Sequence, residues 1–135
     1  KREAMNMGYY EALMLDTEGY VSEASGENIF MVKNGVLKTT PLTSILPGIT
    51  RDSVIQIAKA KKIALLEERF TRDELYTAQE AFFTGTAAEL TPIREVDDRT
   101  IGNGKAGPVT RELQAAFFDI VKGKNPEYRE WLDYL

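Results

Sequence analysis

NIFMVKNGVLKTT, residues 28–40, is the stretch on which the fold turns. Two runs rich in β-branched and aromatic residues flank Asn34-Gly35. A two-residue type I′ turn needs positive φ at both central positions, and Asn followed by Gly tolerates that best, so residues 28–33 and 35–40 read as a hairpin. Working outward, EALML (11–15) is continuously apolar after Glu11 and suits a strand buried on both faces, and DTEG (16–19) turns into a second strand, GYVSE (19–23). The first forty residues therefore predict an antiparallel meander.

Downstream the pattern changes. PLTSILPGIT (41–50) is a Pro/Gly/Thr loop that opens into RDSVIQIAKAKK (51–62), where Val54, Ile57, Ala58 and Lys61 fall at helical spacing with basic residues in the last turn. ALLEERF (64–70) predicts a strand, and TRDELYTA (71–78) a short helix with Thr71 as N-cap and Glu74 at the capping-box position. EAFFTGT (80–86) and LTPIREV (90–96) predict two more strands joined through TGTAAE, followed by a loop, DDRTIGNGKAGP (97–108). The last long helix starts near Pro108, with Val109, Leu113, Ala116, Phe117 and Ile120 as its apolar stripe and Gly123 as its stop. PEYREWLDYL (126–135) predicts a final short helix that packs Trp131 and Leu132 on the body. Antiparallel β first and mixed α and β later give an α+β fold class.

Composition narrows the function classes. A chain of 135 residues with 43% apolar content supports one domain with a core. The net charge is -4 and no basic cluster exceeds Lys61-Lys62, so a nucleic-acid footprint is not expected. Without cysteine or histidine there can be no disulfide, thiolate nucleophile, Ser-His-Asp triad or His- or Cys-ligated zinc, and no metal site is expected. No apolar run approaches the roughly 20 residues of a membrane span, and KREAMNMG lacks the apolar segment of a signal peptide, so a soluble, cytoplasmic protein is expected. The abrupt, helix-favouring start without Met predicts a piece of a longer chain.

Three stretches have the residue types of a ligand site. In LPGITRDS (46–53) a Gly-containing loop runs straight into a helix, presenting free N–H groups and the positive end of the helix dipole to a phosphate or carboxylate, with the Thr50 hydroxyl beside them. Most helix N-termini bind only capping groups and water, so this motif alone is weak. In FFTGTAAE (82–89) a strand breaking into small residues and hydroxyls can form a second anion cup, or simply a tight turn. In SEASGENIF (22–30) Glu23 stands at a strand end beside Ala24, Ser25 and Gly26, which leave room for something flat. A carboxylate there either faces solvent in a turn or meets a cation such as a protonated ring nitrogen.

Taken in order, EALMLDTEGYVSEASGENIF, LPGITRDSVIQIA, EAFFTGTAAELTPI and GPVTRELQAAFFDIVKGK resemble the C-terminal domain of the branched-chain amino acid aminotransferases, in the fold-type IV group of pyridoxal-phosphate enzymes. The resemblance covers residues 3–135 and implies a pseudo-barrel of strands with flanking helices. It implies that Glu23 pairs with the cofactor's ring nitrogen, that Leu46 packs on the ring, and that Gly48, Ile49 and Thr50 form the cup for its 5′-phosphate. It also implies that Gly85 and Thr86 reach the phosphate, while the N–H groups of Thr86 and Ala87 face the substrate carboxylate. Glu27 is read as structural. The implied activity is amino transfer between Leu, Ile or Val and 2-oxoglutarate, in a homodimer or higher homo-oligomer.

The family's cofactor-anchoring lysine lies just upstream of the segment matching Lys1, and no lysine of this chain matches it. The small N-terminal domain is missing as well. Residues 1–135 are therefore expected to be a cofactor-binding domain that is inactive alone. Other fold-type IV enzymes, such as D-amino acid aminotransferases and aminodeoxychorismate lyases, and a non-catalytic scaffold domain are the alternatives.

Overall fold

The computed structural model describes residues 13–15, 18–24, 27–41, 49–85 and 89–121. Its centre is the predicted hairpin: β3 (Asn28–Lys33) and β4 (Val36–Thr39) pair antiparallel with Phe30 opposite Thr39 and Lys33 opposite Val36. Asn34 and Gly35 turn at φ 53° and 76°, the positive pair a type I′ turn requires. Upstream, β1 (Leu13–Leu15) and β2 (Val21–Ala24) form the predicted antiparallel pair, with a register irregularity between Leu13 and Leu15, but as a separate two-stranded sheet, so the predicted meander is split between β2 and β3.

Helix α1 (Ile49–Ala60) leads to β5 (Leu65–Glu67), and β5 lies parallel to β4, so β4-α1-β5 is a crossover unit within an otherwise antiparallel sheet. A five-residue helix, α2 (Arg72–Tyr76), precedes β6 (Glu80–Gly85) and β7 (Glu89–Pro92). The resulting five-stranded sheet has the order β5-β4-β3-β6-β7. It is antiparallel except for the β4–β5 pair, within a fold of mixed α and β elements.

The central strand β3 is buried on both faces, and its alternation assigns the two cores. Phe30 and Val32 join Leu37, Val54, Ile57, Phe82, Leu113, Phe117 and Ile120 beneath α1 and the last helix, α3 (Pro108–Val121). Phe30 and Phe82, directly opposite in register, stack with ring centroids 5.0 Å apart. Ile29 and Met31 point the other way, into a second core with Val21, Phe70, Leu75, Ala81, Ile93 and Ile101. The predicted stripes of α1 and α3 thus face the core, with Val109 and Ala116 only partly buried, except that Lys61 lies past the end of α1 and is exposed.

Several elements differ from the sequence reading. Helix α1 begins at Ile49 rather than Arg51: Ile49 and Thr50, both β-branched and weak helix formers, take its first turn. LTPIREV is not one strand, because Ile93 N–H still donates to Ala81 O at 2.8 Å while Arg94 O accepts from Ile101 N–H at 2.9 Å, so the chain leaves the main sheet there. It continues as a small hairpin, β8 (Glu95–Val96) and β9 (Arg99–Thr100), inside the predicted loop. Its turn residues Asp97 and Asp98 have φ 50° and 64°, a left-handed pair that short polar side chains tolerate. The stop at Gly123 and the packing of Trp131 and Leu132 lie outside the described residues.

Helix ends are closed by specific groups. The capping box on α2 is present, with Glu74 N–H donating to Thr71 Oγ1 at 3.2 Å and Thr71 N–H facing Glu74 Oε1 at 3.5 Å. At the C-terminus of α1, Ile63 N–H donates to Ala58 O and Lys62 N–H to Lys59 O, the two bonds of a Schellman motif. Its left-handed position is held by Lys62 at φ 60°, where a Cβ is strained. Lys62→Gly is therefore expected to raise the unfolding free energy by about 0.5–1 kcal/mol, read as a higher urea midpoint at unchanged slope.

The N-terminus of α3 is closed from a distance. Glu80, at the start of β6 and 6% exposed, accepts from Thr110 N–H at 2.7 Å, Thr110 Oγ1–H at 2.8 Å and Val109 N–H at 3.3 Å. A carboxylate thus takes the place of a local N-cap side chain.

Candidate functional site

The registers bring the sequence motifs to one end of the sheet. Strand β3 starts there at Asn28, opposite Thr84 near the end of β6, and the ends of the parallel strands β4 and β5, Thr39 and Glu67, are neighbours. Thr39 Oγ1–H donates to Ile29 O at 2.8 Å, and Glu68 N–H to Thr39 O at 3.0 Å, which ties the strand ends together. Helix α1 runs back across the sheet, so its N-terminus lies at the carboxyl edge of β4 and β5. That edge is the usual ligand position in a parallel crossover unit.

Arg51 fastens the helix there. Its Nη2 donates to Thr40 O at 2.8 Å and to Glu67 Oε1 at 3.1 Å, although the side chain is only 3% exposed. Around it, Asn28, Thr39, Thr40, Thr50, Ser53 and Thr84 are also buried. Among the described residues, seven of the nine buried polar ones therefore belong to this end of the sheet, while Glu80 and Thr110 serve the N-terminus of α3. Buried polar groups are normally paired, yet Arg51 Nε and Thr84 Oγ1 make no hydrogen bond. An unsatisfied donor on the first turn of α1 and an unsatisfied hydroxyl just before Gly85 suit an oxygen-rich anion.

Each predicted residue has a definite standing. Thr50 sits buried in the first turn of α1, Ile49 opens that helix, and Gly85 ends β6. Glu23 lies in β2, whose backbone pairs with β1 and whose Val21 enters the second core. Leu46, Gly48, Thr86 and Ala87 lie outside the described residues. Glu27 bridges just ahead of β3 and is half-buried. Among the described residues no group of acidic side chains is arranged to hold a metal ion.

Sequence reasoning misses Arg51, Thr84 and Asn28. The available signal is Arg51 itself, a cation in a helix's first turn, where the dipole favours an anion. A cavity of about 460 Å³ lies elsewhere, between β7 and α3, lined by Leu90, Arg111, Gln114, Phe117 and Phe118. It brings together no titratable pair suited to chemistry, so the buried polar end of the sheet is the better site.

Comparison with known proteins identifies the family. Residues 1–96 match the profile of the family described as amino-transferase class IV. A branched-chain-amino-acid aminotransferase of Pseudomonas aeruginosa is 57% identical over 130 residues, covering 96% of this chain and 42% of that protein. The crystal structure of the branched-chain amino acid aminotransferase from Thermobaculum terrenum in its PLP form superposes with a TM-score of 0.93 at 41% identity, covering 96% of this chain and 43% of that one. The branched-chain aminotransferase of Thermoproteus uzoniensis with norvaline gives a TM-score of 0.92 at 53% identity, over 96% of this chain and 43% of that one. The chain thus spans less than half the length of these relatives.

Proposed function

Because the chain belongs to the class IV aminotransferases and has their fold, we propose that it is the cofactor-binding part of a pyridoxal-phosphate enzyme that transfers the amino group between Leu, Ile or Val and 2-oxoglutarate. The observation that carries this reading is the buried polar end of the sheet, where the first turn of α1 and the end of β6 lie and where two buried polar atoms, Arg51 Nε and Thr84 Oγ1, are unsatisfied. Those groups fit a phosphate ester. Relatives crystallised in the PLP form and with norvaline, an amino acid isomeric with valine, support both the cofactor and the substrate class.

When bound, the cofactor supplies an electron sink that makes loss of the substrate's Cα proton possible. The chain's own residues bind, orient and tune. The Ile49 and Thr50 N–H groups and the Thr50 hydroxyl hold the phosphate at the positive end of α1. By the resemblance Gly48 would belong to the same cup and Leu46 would pack on the ring. Glu23 keeps a proton on the ring nitrogen. By the resemblance Gly85 and Thr86 would reach the phosphate, while the N–H groups of Thr86 and Ala87 would orient the substrate's α-carboxylate.

On this reading residues 1–135 are the C-terminal cofactor-binding domain. The covalent anchor lysine and the small domain belong to the remainder of a longer chain. The resemblance further implies a homodimer or higher homo-oligomer, and the location proposed is cytoplasmic. Among the described residues no helix is long and apolar enough to cross a membrane.

The test compares the intact protein with the 135-residue chain. The intact protein is expected to be yellow, reducible by borohydride, and active in producing glutamate from L-leucine and 2-oxoglutarate; the 135-residue chain alone is expected to show no turnover. A colourless intact protein favours a scaffold, and one that accepts D-alanine but not L-leucine belongs with the D-amino acid enzymes. Turnover by the short chain overturns the assignment of the anchor to the remainder.

A further inference from the structure

Arg51 occupies a place that is unfavourable for the chain alone. It stands in the first turn of α1, where the helix dipole already presents positive potential and a cation is disfavoured. Burial adds the penalty of stripping water from a guanidinium. The compensation is partial: Glu67 at 3.1 Å is half exposed, Asp52 in the same turn is exposed, and the Nε of Arg51 makes no hydrogen bond. Among the described residues, two sources of positive potential therefore meet at one point with too little negative charge beside them. A dianion at the helix N-terminus balances both.

Resting on the reading that a phosphate ester binds at α1, we propose that Arg51 is the positioning residue of that phosphate site. It pins the first turn of α1 to the carboxyl edges of β4 and β5 through Thr40 O and Glu67, which fixes where the Ile49 and Thr50 N–H groups point. Its charge, little screened at this depth, also makes the turn prefer a phosphorylated ligand to the neutral counterpart of the same ring. The device is one of selectivity as well as of placement.

The experiment measures binding of pyridoxal phosphate and of pyridoxal, which lacks the phosphate, to the apo form of the intact protein, and takes the ratio of affinities. Arg51→Met is expected to lower that ratio roughly tenfold or more, because a buried charge facing the phosphate is lost. Arg51→Lys, which keeps the charge but loses the planar guanidinium and its Nε–H donor, is expected to lower it by about threefold. Glu67→Gln, at a half-exposed position, removes the counter-charge and is expected to raise the ratio by about twofold.

A residue that merely supports the fold would weaken both ligands equally. Equal losses in the Arg51 variants, or an unmoved ratio in Arg51→Lys together with Glu67→Gln if Arg51→Met does not fold, overturn the proposal. A wild-type apoprotein that binds the two ligands equally well overturns the phosphate reading of α1 itself.

Discussion

Glu80→Ala is expected to lower the unfolding free energy by about 3 kcal/mol, and Gly107→Ala by nearly as much, but the two losses do not add. The Glu80 carboxylate receives three hydrogen bonds from Val109 and Thr110, and Thr110 is fully buried. Truncation leaves those donors without an acceptor in a place water does not reach, which is the expensive way to lose a hydrogen bond. Gly107 is bound to the same carboxylate by space rather than by charge: a Cβ built there falls 2.1 Å from Glu80 Cδ and 2.5 Å from its Oε1. Alanine at 107 therefore evicts the carboxylate or displaces the start of α3.

Once Glu80 has been shortened to alanine the obstruction is gone, so Gly107→Ala in that background is expected to cost under about 1 kcal/mol. Urea unfolding of the four proteins in the cycle decides the matter. Additive losses would show that Gly107 is needed for its own backbone conformation and not for the approach of Glu80.

That long-range cap also marks where the sequence stops being legible. Signals are readable where they are local: the Asn34-Gly35 turn needs only two residues, and the Thr71/Glu74 box spans a single helical turn. The two faces of β3 cannot be told apart from NIFMVK, because a strand buried on both sides shows a continuous apolar run rather than an alternation. The hairpin at Asp97-Asp98 escapes a sequence reading because acidic residues in a polar stretch look like loop, although Asp tolerates the left-handed region almost as Asn does.

For the site, the sequence offers the loops and the structure offers their convergence. LPGIT and FFTGT are 32 residues apart along the chain, counting from Thr50 to Phe82, and nothing in either stretch says that they share one end of a sheet. The antiparallel register of Asn28 with Thr84 and the parallel pairing of Thr39 with Glu67 do say it. Arg51 is only half legible. A cation in a helix's first turn is a signal, but it suits a solvated side chain as well, and burial against Thr40 and Glu67 is what singles it out.

Glu23→Gln in the intact protein is expected to lower kcat by about 100- to 1,000-fold while the cofactor stays bound. Gln matches Glu in size, so the substitution takes away charge and little else. A neutral amide cannot hold a proton on the ring nitrogen, and without that positive charge the ring draws electrons from the reacting carbon less strongly. The loss is thus confined to the proton-transfer step, and a change in the Michaelis constant for leucine of less than about threefold is expected, since the residues proposed to hold the α-carboxylate are untouched. Glu23 stands in β2, between Val21 in the second core and the start of β3 at Asn28. Substituting α-deuterated leucine separates this from a general loss of structure. If Glu23 tunes the ring, proton removal becomes more rate-limiting in Glu23→Gln and the isotope effect on kcat grows. A variant that turns over within about twofold of the parent with the same isotope effect removes Glu23 from the mechanism, and one that loses cofactor and activity together assigns it to binding instead.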